Sequence, residues 1–489
     1  MSANQVIHAV KLLIDGKAQD ASDGKTFERI SPVDGSVASV SAAATVADVD
    51  AAIESAHKAF LVWSKLSATE RRVRLLKAAD LMDQKTAQFI QLGIQEGGSS
   101  ATWYGFNVHL AANMLREAAA MTTQIDGSLI PSDVPGNLAM GVRVPCGVVV
   151  GMAPWNAPVI LATRALAMPL ACGNTVVLKA SEATPATQQL IGQVLNEAGL
   201  GEGVVNVITH APQDAPQIVE RLIAHPLTRR INFTGSTHVG KIIAEQAAKY
   251  LKPVLLELGG KAPVVVLDKA NLDEAVNAVV FGAFFNQGQI CMSTERVLVD
   301  ETIAGDFVER LLDKTRTIRA GNPFDNQYPL GVLESEKAAN RIRQLLEDAQ
   351  NQGAQLPLGI EIDGTVMQPT VVLNVNKQMR IYAEETFGPI CTVQTFKTEE
   401  EAVQLANDSE FGLSAAVFSQ DLSQALTVAK QIESGICHIN GATVHDEAQM
   451  PFGGVKQSGY GRFGSKASVG EFTELRWITI QTSPRHYPI

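Results

Sequence analysis

The apolar and polar positions of this chain follow two periods, and each switch between them marks the boundary of a predicted element. Short apolar runs bounded by turn residues predict buried strands, as at 175–179, and apolar positions three or four residues apart predict helices, as at 159–172. This alternation runs from residue 146 to residue 257 and restarts after Gly259-Gly260. It predicts two parallel, doubly wound α/β sheets that meet near residue 258.

The same two periods predict elements over most of the chain. The predicted strands cover 10–14, 26–30, 147–152, 175–179, 204–208, 230–233, 263–267, 296–299 and 472–480. The predicted helices cover 49–61, 68–91, 159–172, 187–198, 272–285 and 302–316. The last strand lies outside both α/β units, so it is a candidate for pairing with another subunit.

Composition narrows the class of protein. The chain has 489 residues, of which 46% are hydrophobic and 19% charged, a globular balance with room for two or three domains. Its net charge of −11 repels phosphate backbones and anionic lipids, so we expect neither nucleic acid nor membrane partners. No basic segment followed by an apolar one opens the chain, and no apolar run is long enough to cross a bilayer. These features predict a cytoplasmic enzyme.

The five cysteines occur singly, without a CxxC pair, which fits a reducing compartment; no metal site is predicted. Cys291 stands out because it ends the segment N-Q-G-Q-I-C and lies downstream of Glu257 in the segment L-E-L-G-G-K. A soft nucleophile and a carboxylate base, each near glycines, indicate acyl chemistry through a thioester. A lone cysteine is more often an inert core residue, so this interpretation depends on the neighbouring motifs.

Eight short motifs in the chain resemble those of the aldehyde dehydrogenase superfamily, in the same order and spacing. They are Pro154-Trp155-Asn156, Lys179-Ala180-Ser181-Glu182, Phe233-Thr234-Gly235-Ser236, Glu257-Leu258-Gly259-Gly260, Gly288-Gln289-Ile290-Cys291, Glu384-Glu385-Thr386-Phe387-Gly388-Pro389, Pro451-Phe452-Gly453-Gly454 and Ser458-Gly459. Each string alone is weak, but eight in order make a chance match very improbable. The resemblance covers nearly the whole chain.

The resemblance implies an α/β fold of two doubly wound domains with a small β arm for oligomerisation. A Rossmann-like NAD-binding domain is expected at 1–122 and 146–257, and a catalytic domain at 258–472. An oligomerisation domain is expected at 123–145 and 473–489. The implied assembly is a homodimer or homotetramer.

The resemblance also implies the roles of three residues. Cys291 attacks the aldehyde as a thiolate, which requires a lowered thiol pKa or a nearby base. The side-chain amide of Asn156 and the backbone N–H of Cys291 stabilise the oxyanion, and losing one such donor costs ~3–4 kcal/mol. After hydride transfer to nicotinamide, Glu257 activates the water that hydrolyses the thioester. Without the other motifs, Asn156 could equally be a residue that caps a loop, and Glu257 could equally form an ordinary ion pair at the surface.

A further set of residues is implied to bind the dinucleotide, from the adenine ribose to the nicotinamide ring. These are Trp155, Lys179, Ser181, Glu182, Phe233, Gly235, Ser236, Leu258, Gly259, Glu385 and Phe387. A carboxylate at Glu182 repels a 2′-phosphate by ~1–4 kcal/mol, which favours NAD and leaves NADP as the weaker alternative. The chain departs from the family at His210, which opens a segment that is glycine-rich in many members. We therefore expect a more loosely fixed adenine end.

The segments 437–441, 444–450, 459–464 and 471–479 resemble the branch that oxidises aromatic aldehydes such as salicylaldehyde, vanillin and 4-hydroxybenzaldehyde, which implies a role in aromatic catabolism. By motif position, the substrate tunnel is lined by Trp103, Tyr104, Ala157, Ile160, Leu161, Arg164, Ile290, Met292, His445 and Phe452. Two explanations of Arg164 stay open. It orients a phenolic oxygen or the carboxylate product, or it is paired to a structural carboxylate and never touches substrate.

Other functions also stay open at this stage. One is a dehydrogenase of other aldehydes, such as aliphatic semialdehydes, and another is a CoA-acylating enzyme. Glu257 argues against the second, because such enzymes typically lack that base. The intact set of Cys291, Glu257 and Asn156 argues against a non-catalytic protein that kept the fold. Phe463 stands where many members carry a second glutamate, which leaves Glu257 as the sole base.

Overall fold

The first of two main sheets combines five central parallel strands with antiparallel strands at both edges in the computed structural model, which describes residues 7–325 and 327–489. From edge to edge, its strands are Gly459–Tyr460, Val254–Glu257, Thr228–Thr234, Val148–Met152, Thr175–Lys179, Val205–Ile208, Leu12–Ile14 and Lys17–Gln19.

Helices cover both faces of this sheet, because its central strands carry apolar side chains on both sides. Val149 packs into the core on one face, and Val148 and Val150 pack into the core on the other. The first face is covered by Ala68–Gln84, Thr86–Gly97, Ala101–Met121, Pro158–Ala171 and Pro185–Glu197. The second is covered by Val46–Trp63, Ala215–Ala224 and Thr237–Lys249.

The second main sheet consists of six parallel strands. In order they are Thr370–Leu373, Ile390–Phe396, Thr294–Asp300, Ala262–Val266, Ser414–Phe418 and Ile436–Ile439. The helices of this half are Leu272–Phe284, Ala304–Arg316, Glu336–Asn351, Arg380–Ala383, Glu399–Asn407 and Leu422–Ala429, whereas Ser465–Glu471 packs against the helices Ala101–Met121 and Pro158–Ala171 of the first half. Short 3₁₀ segments occur at Pro212–Asp214, Phe285–Gly288 and Pro323–Asp325. The predicted α/β fold with two doubly wound sheets is confirmed.

A third sheet is antiparallel. Its long strand, Thr473–Gln481, pairs with Asn137–Pro145 along its whole length. The outer strand Ser128–Ile130 completes it. This sheet exposes large apolar side chains, with Trp477 76% and Leu475 63% exposed. The smaller strands form separate sheets, made of His8–Val10, Val37–Ala42 and Thr26–Ile30, of Ile362–Asp363 and Val366–Met367, and of Phe411–Gly412 and Val455–Lys456.

The structure differs from the predicted elements in several places. The strand predicted at 10–14 is two short strands, His8–Val10 and Leu12–Ile14, which belong to different sheets. The predicted helix at 68–91 is two helices, because Lys85 leaves the helical region (φ −94°, ψ 12°) and the Thr86 hydroxyl donates to the Asp83 carbonyl. The strand Gly459–Tyr460, from the predicted catalytic domain, pairs with Val254–Glu257 in the first sheet. Across residues 7–325 and 327–489, no helix combines the length and apolarity that crossing a membrane requires.

The carboxyl ends of the parallel strands in the first sheet lie along one edge, where ligands bind in open α/β folds. Val148–Met152 leads into Trp155 and Asn156 at this edge, and Thr228–Thr234 leads into Gly235. Val254–Glu257 ends there with Glu257 itself. Three of the motifs are thus brought to one edge by the parallel arrangement.

Candidate active site

The segment before Cys291 has an unusual backbone. Asn286, Gln287 and Gly288 have φ of 50°, 56° and 68°, so three consecutive residues lie in the left-handed region. For residues other than glycine this conformation costs free energy and persists only when surrounding contacts hold it. Such loops are typical of sites where a side chain must be placed at a defined point.

Side-chain amides hold this segment in place. Ser99 Oγ donates to Asn286 Oδ1 (2.6 Å), and Gln287 Nε2 donates to the Val332 carbonyl (2.9 Å). The Gly331 N–H donates to Gln287 Oε1 (2.9 Å). The loop that leads to Cys291 is therefore held by residues far away in the sequence.

Gly260 and Gly288 have no room for a side chain, because backbone carbonyl groups approach them closely. A Cβ at Gly288 would lie 2.0 Å from the Gly388 carbonyl oxygen, and its φ of +68° also disfavours a side chain. A Cβ at Gly260 would lie 2.3 Å from the Cys291 carbonyl oxygen. The glycines that flank the two central motifs thus allow the Cys291 backbone to pack against the strand end that carries Glu257.

Cys291 lies at the junction of two cavities, and Asn156 and Leu161 also line both. The first cavity has a volume of about 330 Å³ and is lined by Pro154, Trp155, Asn156, Leu161, Thr234, Gly235, Ser236, Glu257, Leu258, Gly259, Cys291, Arg341, Glu385 and Phe387. The second has a volume of about 440 Å³ and a largely apolar lining. A ligand bound in the first cavity and a ligand bound in the second would therefore meet at the Cys291 thiol.

Asn156 is held with its side chain at the junction of the two cavities. Its Nδ2 donates one hydrogen to the Gln289 carbonyl (3.0 Å), and its backbone carbonyl accepts from Trp103 Nε1 (2.9 Å). Among the described residues this is the only hydrogen bond of Nδ2, so its second hydrogen is available to an oxygen in the cavities. The Cys291 backbone N–H also has no acceptor within the described part of the chain. Together they form a candidate oxyanion hole.

Glu257 is fully buried at the end of its strand. Neither of its carboxyl oxygens makes a full hydrogen bond to a described side chain or backbone group, although the Cys291 thiol and the Thr234 hydroxyl approach the carboxyl group. Burial raises its pKa to about 7. A buried carboxyl without a full hydrogen bond from the protein calls for water or a ligand, and a pKa near neutrality suits a general base.

The thiol of Cys291 responds to the same surroundings. Burial, followed by the interaction with Glu257, raises its pKa well above the ordinary value. The protonated thiol is therefore the resting form of Cys291. Glu257 is the neighbouring group that can take its proton.

The far side of the first cavity is formed by a loop that carries Glu385 and Phe387. The Gly260 N–H donates to Glu385 Oε1 (2.9 Å), and burial raises the pKa of Glu385 to about 8. The Phe387 ring packs edge-on against Trp155, with centroids 5.8 Å apart. A Cβ at Gly259 would lie 2.8 Å from Glu385 Oε2, so a side chain there would push into the wall.

This loop is held by a buried ion pair that the sequence motifs did not predict. Lys261 Nζ donates to Glu295 Oε2 (2.6 Å), and both side chains are almost fully buried. Glu295 in turn accepts from the backbone N–H groups of Thr386 (2.8 Å) and Phe387 (3.2 Å). The pair positions the Glu385–Phe387 segment from behind. The only local signal was a lysine directly after the E-L-G-G motif.

The remaining predicted cofactor residues lie in two places. Gly235, Ser236 and Leu258 line the first cavity at the start of helix Thr237–Lys249, and the Phe233 ring packs beneath Gly235. Lys179, Ser181 and Glu182 lie outside this lining, directly after strand Thr175–Lys179. The residues fit a dinucleotide, because a helix N-terminus and a glycine without room for a side chain face the cavity.

Lys179 and Glu182, at the end of strand Thr175–Lys179, form an ion pair. Lys179 Nζ lies 3.1 Å from Glu182 Oε2. Burial raises the pKa of Glu182, but the Lys179 charge together with hydrogen bonds to the carboxylate and the nearby His210 outweighs burial and holds the pKa at about 2. His210 is buried nearby, and burial together with Lys179 lowers its pKa to about 4. The group at 182 is therefore anionic at neutral pH and that at 210 is uncharged.

The second cavity has an aromatic wall. Trp103 and Phe285 meet edge to face with centroids 5.1 Å apart, Phe281 stacks on Phe285 at 4.9 Å, and Phe106 lies 5.8 Å from Trp103. The complete lining is Thr102, Trp103, Phe106, Asn156, Ala157, Ile160, Leu161, Arg164, Phe281, Phe285, Ile290, Cys291, Met292, Val444, His445, Asp446 and Phe452. A flat apolar ligand that reaches Cys291 fits this shape.

A comparison with models of known protein families identifies the family of this chain. A model described as the aldehyde dehydrogenase family matches residues 19–478. The chain belongs to the aldehyde dehydrogenase family. The predicted resemblance is confirmed, and the chain is an oxidoreductase of a family that uses NAD(P).

Two relatives and one solved structure cover almost the whole dehydrogenase. A vanillin dehydrogenase from Pseudomonas fluorescens is 62% identical over 98% of this chain and 99% of its own. A salicylaldehyde dehydrogenase from Pseudomonas putida is 50% identical over 98% of this chain and 99% of its own. The crystal structure of a salicylaldehyde dehydrogenase from Pseudomonas putida G7, complexed with salicylaldehyde, has a TM-score of 0.97 at 49% identity and covers 99% of this chain and 100% of that chain.

The predicted tunnel residues line the second cavity of the dehydrogenase, with the exception of Tyr104. The prediction for Tyr104 is wrong, because its side chain packs against Gly93 and Gly97 on the neighbouring helix. Residues three apart share a helix face, whereas adjacent residues point about 100° apart. Trp103 and Phe106 therefore face the cavity together, and Tyr104 faces away.

The structure pairs Arg164 with a carboxylate, as one of the two explanations for it required. Arg164 Nη2 donates to Asp446 Oδ2, and the guanidinium carbon lies 4.1 Å from the centroid of the Phe452 ring. Both charged side chains also line the second cavity. Asp446, Phe106, Phe281 and Phe285 were not predicted to belong to the site, although Phe285 directly precedes the nucleophile segment and Asp446 directly follows His445.

Proposed function

We propose that this dehydrogenase oxidises hydroxylated benzaldehydes to the corresponding benzoic acids, with NAD as its cofactor. The observation that carries the proposal is the aromatic-walled cavity that ends at Cys291. The names of the vanillin and salicylaldehyde relatives support the same substrate class. A role in aromatic catabolism, a cytoplasmic location and assembly through the exposed three-stranded sheet stay predictions.

In the first step, Glu257 takes the proton of Cys291, and the thiolate attacks the aldehyde carbon. The carbonyl oxygen gains the negative charge and accepts hydrogen bonds from Asn156 Nδ2 and the Cys291 N–H. An oxidised nicotinamide dinucleotide held in the first cavity by Trp155, Glu385 and Phe387 would supply the hydride acceptor beside Cys291 when the oxyanion collapses. Cys291 is then left as a thioester.

Before the second step, Glu257 releases the proton taken from Cys291 to solvent. The carboxylate then removes a proton from water, and the resulting hydroxide attacks the thioester carbon. The same donors stabilise the second oxyanion. The carbon–sulfur bond breaks, the carboxylic acid leaves and Cys291 is regenerated. The two oxygens of Glu257, which lack a full hydrogen bond, support this role, because a water can bind there without displacing a protein group.

Ring-substituted benzaldehydes are expected to show kcat/KM at least about 10-fold above straight-chain aldehydes of equal carbon number, because stacking and burial of the ring add transition-state binding. Steady-state kinetics with both cofactors measure this. Detection of free acid without CoA, and no acyl-CoA when CoA is added, separates hydrolysis from CoA acylation. Preference for straight chains would overturn the aromatic assignment.

Replacing Glu182 by glutamine is expected to raise kcat/KM for NADP by about 10-fold or more, because the ionised carboxylate repels a 2′-phosphate. NAD use should fall moderately, since the amide still accepts a ribose hydroxyl. Glu197→Gln, which alters a surface ion pair with Lys85, is the matched control and should leave the ratio unchanged. An unaltered NAD-to-NADP ratio in Glu182→Gln would refute the role of the carboxylate.

A further inference from the structure

The apolar cavity that ends at Cys291 contains a buried carboxylate in its wall. The Asp446 side chain is 8% exposed and lines the same cavity as Cys291. A carboxylate among aromatic and aliphatic side chains carries a large desolvation cost unless its oxygens find partners. Asp446 therefore needs an explanation beyond packing.

The two oxygens of this carboxylate differ. Oδ2 accepts from Arg164, whereas Oδ1 is buried and has no hydrogen-bond partner. The Glu447 backbone N–H makes a weak hydrogen-bond interaction with the carboxylate, but it does not reach Oδ1 with the geometry of a full hydrogen bond. Among the described residues that line this cavity, Asp446 Oδ1 is the sole buried side-chain polar atom left without a partner.

Other polar groups of the cavity are already engaged. Arg164 is 5% exposed, pairs with Asp446 and stacks over Phe452. His445 Nε2 lies 2.9 Å from Glu447 Oε1, on the exposed side. Neither side chain has a buried polar atom without a hydrogen-bond partner, as Asp446 has at Oδ1.

We propose that Asp446 Oδ1 accepts a hydrogen bond from a ring hydroxyl of the substrate, and that Arg164 is a positioning residue that holds the carboxylate in place. This inference rests on the proposed function and assigns the hydroxyl recognition within it. A phenolic O–H can satisfy the oxygen, whereas a methyl ether at the same position cannot donate. The site thus selects hydroxylated over methoxylated benzaldehydes.

The test compares each hydroxybenzaldehyde with the methoxybenzaldehyde of the same ring position. In the wild type, kcat/KM should favour one hydroxy isomer by about 10- to 100-fold, the usual effect of a hydrogen bond to a charged acceptor. In Asp446→Asn this ratio should fall by about 10-fold. In the double variant Arg164→Met with Asp446→Leu, which leaves no unpaired charge, the ratio should approach one.

Glu447→Gln changes the neighbouring, exposed carboxylate and should keep the wild-type ratio. Binding of the same aldehyde pair to Cys291→Ala, with and without the Asp446→Asn change, measures recognition without turnover. A hydroxy preference that survives in both Asp446 variants would overturn the inference while leaving the proposed function intact. Failure of the wild type to oxidise any benzaldehyde would refute the proposed function, and the binding ratio would still decide the role of Asp446.

Discussion

Replacing Cys291 by alanine is expected to reduce dehydrogenase turnover by about 10⁴-fold or more, because the acyl-enzyme can then no longer form. Cofactor binding should persist, since the first cavity keeps its walls. Steady-state kinetics and calorimetric titration with NAD measure the two properties. Mass spectrometry of wild-type enzyme quenched during turnover should reveal an added acyl group on the peptide that contains residue 291.

Cys437→Ala is the matched control for this substitution. Cys437 lies in strand Ile436–Ile439 of the second sheet and is absent from the lining of both cavities. Its loss should leave turnover close to that of the wild type. Turnover near wild type in Cys291→Ala, or an adduct on another cysteine, would contradict the assignment of the nucleophile.

Replacing Glu257 by glutamine is expected to trap the acyl-enzyme. At alkaline pH, part of the buried Cys291 thiol can ionise without the carboxylate, because the substitution removes the neighbouring charge, which after burial is the second cause of its raised pKa. Acylation should then release about one equivalent of reduced cofactor per site, and turnover should stall at ~10²- to 10⁴-fold below the wild type. Rapid mixing with absorbance detection measures the burst.

The pH profile gives an independent check on Glu257. In the proposed mechanism the carboxylate of Glu257 is the active base, and burial raises its pKa to about 7. Hydrolysis of the acyl-enzyme should therefore be slow below pH 7 and rise as the pH passes through it. Glu257→Asp, which keeps a base on a shorter side chain, should retain part of the rate and the pH dependence. Steady turnover of Glu257→Gln at the wild-type rate would show that another base serves.

Local pattern predicted much of the secondary structure, because strand and helix periods are properties of neighbouring residues. Strands 175–179 and 26–30 occur with the predicted bounds. Helix Ala101–Met121 was not predicted, because it buries side chains on several sides and lacks a single apolar stripe. The break at Lys85 was also not predicted, because helical periodicity continues through it.

By itself, the sequence determined the family, the α/β fold and the candidates for nucleophile, base and oxyanion donor, because these depend on short motifs in a set order. Only the tertiary structure decided that Trp103 and Phe106 face the cavity while Tyr104 does not. It alone paired Arg164 with Asp446, and Lys261 with Glu295. The direction of a side chain and the partner of a charge depend on elements far apart in the chain, which no local pattern specifies.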